Sequence, residues 1–285
     1  MIRKKGDSSA KKVASRFDGD ASFVKAGNDP PLRVSVCRLS FSQTEASFQD
    51  LLRVISAERK AHILSFKHEK DRLRSLFAEL LLRHELAQCP LRSKNKELYD
   101  GAEAVFKPIC VSETDLVENA LASPLPPLLF SYGLHRKPLL SVSKNNDFFY
   151  SSSEYHSPTC IHFNLSHSGD FVACAVSSHE CGVDIQEIRP VRDSLITKNL
   201  SEEEQTDLLY FEGAAREMRF FEYWVLKEAY IKAIGQGISY PLKKAVFNIR
   251  EDGLVTMPVP AQAAFCAALF QVAPGYMGAT GIILN

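Results

Sequence analysis

The chain has no excess of either charge. Its 34 Lys and Arg residues balance 34 Asp and Glu. There is thus no global field to gather nucleic acid or a membrane surface, and any basic site must be local. No apolar run approaches the roughly eighteen residues of a membrane helix. The N-terminus lacks a hydrophobic h-region, which argues against a secretory signal. Cysteine is sparse and unpatterned, with seven residues and no CxxC. An odd, scattered set, with Cys174 and Cys181 inside apolar runs, predicts free thiols and a reducing, cytoplasmic setting. Apolar residues are not scarce: at 45% apolar and 24% charged the composition is that of an ordinary globular protein. The 285 residues suffice for one large domain or two small ones.

Residues 1–32 mix Lys, Ser, Gly and Asp and read as a flexible tail. Alternation over 33–41 predicts a strand. Helical spacing predicts helices over 46–57 and 69–88, the latter through Leu73, Leu76, Phe77 and Leu80. Residues 107–127 are rich in Pro, Ser and Glu and read as a loop or insertion. A polar stretch at 144–158 reads as a linker. The division expected is a half at 33–143 and a second at 159–285.

The pattern sharpens after the linker. Ile161, Phe163 and Leu165 alternate with His162, Asn164 and Ser166. A turn at His167-Ser168-Gly169-Asp170 and an apolar run over 171–176 complete a hairpin. Residues 181–185 read as a third strand. Ser201 and Glu204 form a capping box that opens a short helix. Residues 217–234 read as a long, oily helix stopped at Gly235. Closing strands are expected over 245–250, 263–272 and 280–284.

Charge is expensive in two of these places. Asp184 stands between Val183 and Ile185 in a strand, with Gln186 on the same face. Glu228 and Lys232 share a face of the oily helix. By itself that pair reads as a rim ion pair, about 0.3–0.5 kcal/mol. Added to Asp184 and Gln186, it offers oxygen ligands suited to a hard cation, and magnesium shares such ligands with substrate phosphates. Ser166, His167 and the amides of the turn offer an anion cradle.

Three stretches together resemble one family, the Sfp-type 4′-phosphopantetheinyl transferases. They are Phe163-Asn164-Leu165-Ser166-His167-Ser168-Gly169, then Gly182-Val183-Asp184-Ile185, then Trp224-Val225-Leu226-Lys227-Glu228-Ala229-Tyr230-Ile231-Lys232. Flanking matches include Arg74-Ser75, Lys137-Pro138, Gly235-Gln236-Gly237 and Ala273-Pro274-Gly275-Tyr276. The resemblance implies an α+β fold of two pseudo-twofold-related halves, each a small antiparallel sheet on a long helix, with the active site in the cleft between them. It implies transfer of the phosphopantetheine arm of coenzyme A to a serine of an apo carrier protein, by a monomer that uses Mg²⁺. Asp184 and Glu228 would hold the metal. Glu228 would also be the base, and Lys232 would stabilise the leaving phosphate. Ser166, His167, Arg74, Lys137 and Lys67 would bind coenzyme A. Many members carry Glu where this chain has Gln186, so a neutral third ligand and looser magnesium binding are expected. Asn164 and Lys227 are motif members with an expected structural role. Arg189, Arg192 and Lys198 are candidates for a basic patch facing the carrier. Two rival readings use the same residues: a magnesium-dependent phosphohydrolase, and a non-catalytic scaffold that binds coenzyme A or carriers.

Overall fold

The computed structural model describes residues 32–88, 108–122, 127–133, 135, 137–140, 161–257 and 264–284. The expected tail, except Leu32, and the expected linker lie outside these residues. Helices and small sheets are mixed along the chain, an α+β architecture.

The first sheet has strand order β2-β1-β6-β5. Its strands are β1 (Leu32–Arg38), β2 (Ile109–Cys110), β5 (His162–Ser168) and β6 (Phe171–Ser177). β1 and β5 both run antiparallel to β6, and β2 runs parallel to β1. Two of these strands come from the 33–143 stretch and two from the 159–285 stretch. A second sheet has order β10-β11-β7, built from β7 (Cys181–Glu187), β10 (Ala264–Ala273) and β11 (Tyr276–Leu284). Small ribbons pair β3 (Phe130–Tyr132) with β4 (Pro138–Leu140), and β8 (Asn248–Ile249) with β9 (Val255–Thr256).

Period-two alternation explains the layers. One face of the first sheet, with Cys37, Phe163, Val172, Cys174 and Val176, forms a core with Leu73, Phe77 and Leu80 of a helix at Glu69–Gln88. The opposite face, with Val34, Val36, Ala173 and Ala175, packs on Cys181, Val183 and Ile185 of the second sheet. The far side of the second sheet, with Met277, Ala279 and Ile283, is covered by the helix at Gly213–Ile234.

The helices are, in chain order, α1 (Glu45–Leu51), α2 (Ala57–Ser65), α3 (Glu69–Gln88), α4 (Glu113–Ala122), α5 (Asp193–Asn199), α6 (Glu202–Leu208) and α7 (Gly213–Ile234). The 107–127 stretch, expected as a loop, holds α4. Ser112 accepts a hydrogen bond from the Asp115 N–H, Leu116 and Ala120 are buried, and acidic residues fill the first turn. That is an N-cap signal hidden by the prolines that follow it. The strand expected over 245–250 is cut to Asn248–Ile249. A short 3₁₀ turn at Leu242–Lys244 precedes it instead.

Gly182 sets how close α7 comes to β7. A Cβ at this position would lie 1.9 Å from the Ala229 carbonyl oxygen. Gly182→Ala should therefore push strand and helix apart and destabilise by about 1–3 kcal/mol. A denaturation midpoint equal to that of the parent would contradict this close approach.

Candidate active site

The two sheets are not joined by a backbone ladder where β5 meets β7. Side chains do the joining. Asn164 Oδ1 accepts from the Val183 N–H at 3.0 Å, Ser166 Oγ from the Ile185 N–H at 3.2 Å, and Ser168 Oγ from the Glu187 N–H at 3.0 Å. Every second residue of β5 thus replaces one rung of a strand. These bonds satisfy amides on the β7 edge, where an unpaired group would be costly. They also fix the height of Asp184 relative to the hairpin turn.

Asp184 is 2% exposed and its carboxylate is fully engaged. Oδ1 accepts from Lys232 Nζ at 2.7 Å and from Ser166 Oγ at 2.8 Å, while Oδ2 accepts from Gln186 Nε2 at 3.1 Å. Lys232 also donates to the Val183 carbonyl at 3.1 Å. Glu228 lies one turn before Lys232 on the same face of α7. Burial raises its pKa first, the Asp184 charge raises it further, and Lys232 pulls it back. Asp184, Glu228 and Lys232 are therefore mutual neighbours.

His167 is the next residue outward on β5. Burial, then Lys232 and Arg74, lower its pKa below 6.5, while Asp71 and Asp184 oppose this. Lys232 and Arg74 both disfavour an added proton on His167, so an anion arriving here would raise its pKa again. Arg74 reaches across from α3, donating through Nε to the Gly169 carbonyl at 2.8 Å and pairing with Asp71 at 2.7 Å. Its guanidinium also sits 5.5 Å from the Phe41 ring centroid. Asp170, in the same turn, lines an open cleft of about 530 Å³ together with Arg38, Phe41 and Lys70.

The remaining candidates sit apart from this cluster. Lys137 pairs with Glu180 and donates to the Ala233 carbonyl at 2.8 Å, near the C-terminal end of α7. Glu180 is held at about 2, chiefly by its hydrogen bond to His162 and, against its burial, by Lys137. Lys67 is exposed between α2 and α3. Arg189, Arg192 and Lys198 are exposed before and on α5.

Lys227 has another job. It is 0% exposed and pairs with Glu204 at 2.7 Å. It donates to the Leu242 and Ala245 carbonyls at 3.1 and 2.6 Å. Glu204 completes the capping box by accepting from the Ser201 N–H at 2.8 Å, and it accepts from the Phe247 N–H at 2.9 Å. One buried pair thus pins α6 and the 242–247 segment onto α7. The capping box is visible in the chain itself, but the partner of its glutamate is not.

Among the described residues no group of three or more His, Cys, Asp or Glu is arranged to hold a metal ion. A donor set of two adjacent carboxylates still fits magnesium, which takes one or two carboxylates and completes its shell with water and phosphate. A cation there would also relieve the repulsion that raises Glu228.

Residues 180–276 match the family model of the 4′-phosphopantetheinyl transferase superfamily, ACPS. The 4′-phosphopantetheinyl transferase psf-1 of Bacillus pumilus is 28% identical over 229 residues, covering 80% of this chain and 78% of its own length. The 4′-phosphopantetheinyl transferase Sfp of Bacillus subtilis (strain 168) is 34% identical over 138 residues, covering 46% of this chain and 61% of Sfp. This chain is similar to 4′-phosphopantetheinyl transferases over most of its length, and residues 180–276 carry the match to their superfamily model. The stretch matched by the superfamily model carries Asp184, Glu228 and Lys232. The β5–β6 hairpin with Ser166 and His167, and the α3 residue Arg74, lie before it. Among solved structures, the Thermotoga maritima holo-[acyl-carrier-protein] synthase (AcpS) is 20% identical with a TM-score of 0.32, covering 37% of this chain and 63% of that one. No helix among the described residues is long and apolar enough to cross a membrane.

Proposed function

We propose that the chain transfers the 4′-phosphopantetheine arm of coenzyme A to a serine of an apo carrier protein and releases adenosine 3′,5′-bisphosphate. The meeting of Asp184, Glu228 and Lys232 beside the His167 turn supports this reading most directly. The serine oxygen forms a new bond to the pantetheine-side phosphorus, and the bond from that phosphorus to the bridging oxygen breaks. Catalysis of such a step is positioning and charge neutralisation. Glu228 takes the serine proton. Its raised pKa makes it a stronger base than an ordinary glutamate. Lys232 turns from Asp184 to the phosphate that departs. His167 and Arg74 hold the ribose 3′-phosphate. Asp184 and Glu228 would hold Mg²⁺, which supplies charge neutralisation at the diphosphate. Gln186 serves as a donor to Asp184 and contributes no charge.

In this reading the pseudo-twofold halves are 33–143, with α3, and 159–285, with α7, and the first sheet takes strands from both. Coenzyme A lies in the cleft between them, and one chain acts alone in the cytoplasm. The deciding assay incubates the protein with coenzyme A, magnesium and several apo carriers. A carrier gaining one phosphopantetheine supports transfer. Release of free phosphopantetheine without a carrier would instead mark a hydrolase, and binding without either product a scaffold.

Asp184→Asn should raise the magnesium requirement by about tenfold or more, since it halves the charge offered to the cation. A magnesium titration that overlays the parent curve would remove Asp184 from the ligand set.

A further inference from the structure

The turn that carries the anion cradle is held from three directions. Its Gly169 carbonyl accepts from Arg74 Nε at 2.8 Å. Its Asp170 carbonyl accepts from the Leu39 N–H at 2.7 Å, from the end of β1. Its Asp170 N–H donates to the Tyr276 hydroxyl at 3.3 Å, from the start of β11. The Tyr276 ring also stands edge-on to Phe171, with centroids 4.7 Å apart.

Gly169 makes this approach possible. Its φ is +52°, and a Cβ there would lie 2.1 Å from the Tyr276 hydroxyl oxygen. Backbone conformation and close approach therefore both demand glycine. Tyr276 in turn is delivered by a hairpin whose Gly275 has φ +80° and whose Gly275 carbonyl accepts from the Ile188 N–H at 2.8 Å. That last bond ties the Tyr276 hairpin to the chain just past β7. The side-chain ladder from β5 ends at the same place, with Ser168 on Glu187. A closed loop results: β5 to β7 by side chains, the end of β7 to the β10–β11 turn by the Ile188–Gly275 backbone hydrogen bond, and that turn back to the β5–β6 turn by a phenol.

We propose that Tyr276 is a positioning residue that sets the preference for coenzyme A bearing its 3′-phosphate, by locking the Gly169–Asp170 turn and hence the aim of His167. The inference rests on the transferase reading above for the identity of the ligand, but not for the clamp itself. Without the phenol, the turn keeps two of its three anchors, so the cradle loosens but survives. The diphosphate end, held by Asp184, Glu228 and Lys232, does not depend on this anchor.

The test uses the full chain and its Tyr276→Phe variant, which keeps the ring and loses only the hydroxyl. Calorimetric binding is compared for coenzyme A and 3′-dephospho-coenzyme A. One lost hydrogen bond corresponds to about a fivefold effect. The variant should bind coenzyme A about fivefold more weakly and 3′-dephospho-coenzyme A unchanged. In the transfer assay its KM for coenzyme A should rise by the same factor while kcat moves less. Equal losses for both ligands, or no loss for either, would overturn the proposal. A second measurement needs no ligand: the His167 imidazole resonances should shift between parent and variant, and coincident resonances would overturn the clamp. If the parent binds neither ligand, the transferase reading fails while the imidazole comparison still decides the clamp. If the parent favours coenzyme A and the variant favours it equally, this inference fails and the transferase reading stands.

Discussion

Glu228→Gln is expected to abolish most of the transfer while sparing binding of coenzyme A. The side chain keeps its size and its place on α7 but can no longer take the serine proton. Loss of a positioned base removes at least about a hundredfold in rate. Affinity for coenzyme A should stay within a small factor, because His167 and Arg74 are untouched. The pH dependence gives a second check. Burial and Asp184 raise the Glu228 pKa above 4.5, and the working form is the ionised one. At limiting magnesium, the acid limb of kcat/KM, which reports the free enzyme, should therefore lie above 4.5 and vanish with Glu228→Gln. Unchanged turnover in this variant would remove Glu228 from the chemistry.

Lys227→Met should cost more stability than any other change named here, at about 3–5 kcal/mol. The Lys227 ammonium and the Glu204 carboxylate are both 0% exposed at their side chains. Removing the cation leaves the carboxylate buried without its counter-charge and frees two carbonyls at 242 and 245. Burial is the main force on Lys227 and lowers its pKa, and Glu204 counters it. The urea midpoint measures the effect, and adding Glu204→Gln should recover part of it. A loss below about 1 kcal/mol would reduce the pair to a surface-like contact and refute the pinning of α6 and 242–247 onto α7.

These two neighbours on α7 show how much the sequence could reveal. Lys227 and Glu228 are adjacent, yet only Glu228 could be grouped with other charges from the chain alone. Asp184, whose charge it feels, stands out as a carboxylate inside an apolar strand. Lys227 finds Glu204 through a fold that brings a capping box beneath the helix, and no local pattern announces that meeting. The hairpin at 162–177 was legible because alternation and turn chemistry are short-range. The pairing of β1 with β6, residues far apart in the chain, was not. Nor was α4, whose cap residue Ser112 is drowned by nearby proline and serine. Tyr276 was visible only as part of a matching segment. Its target, the Gly169–Asp170 turn, lies 106 residues away along the chain.

The rungs that Asn164, Ser166 and Ser168 supply to β7 have an evolutionary consequence. Peptide groups are the same at every position, so a backbone-paired seam cannot be tuned by substitution without being torn. A seam written in side chains can be retuned by single-residue changes, tightening or slackening the alignment between the β5–β6 turn and the strand that carries Asp184. Every peptide group of both strands stays in place while that alignment shifts.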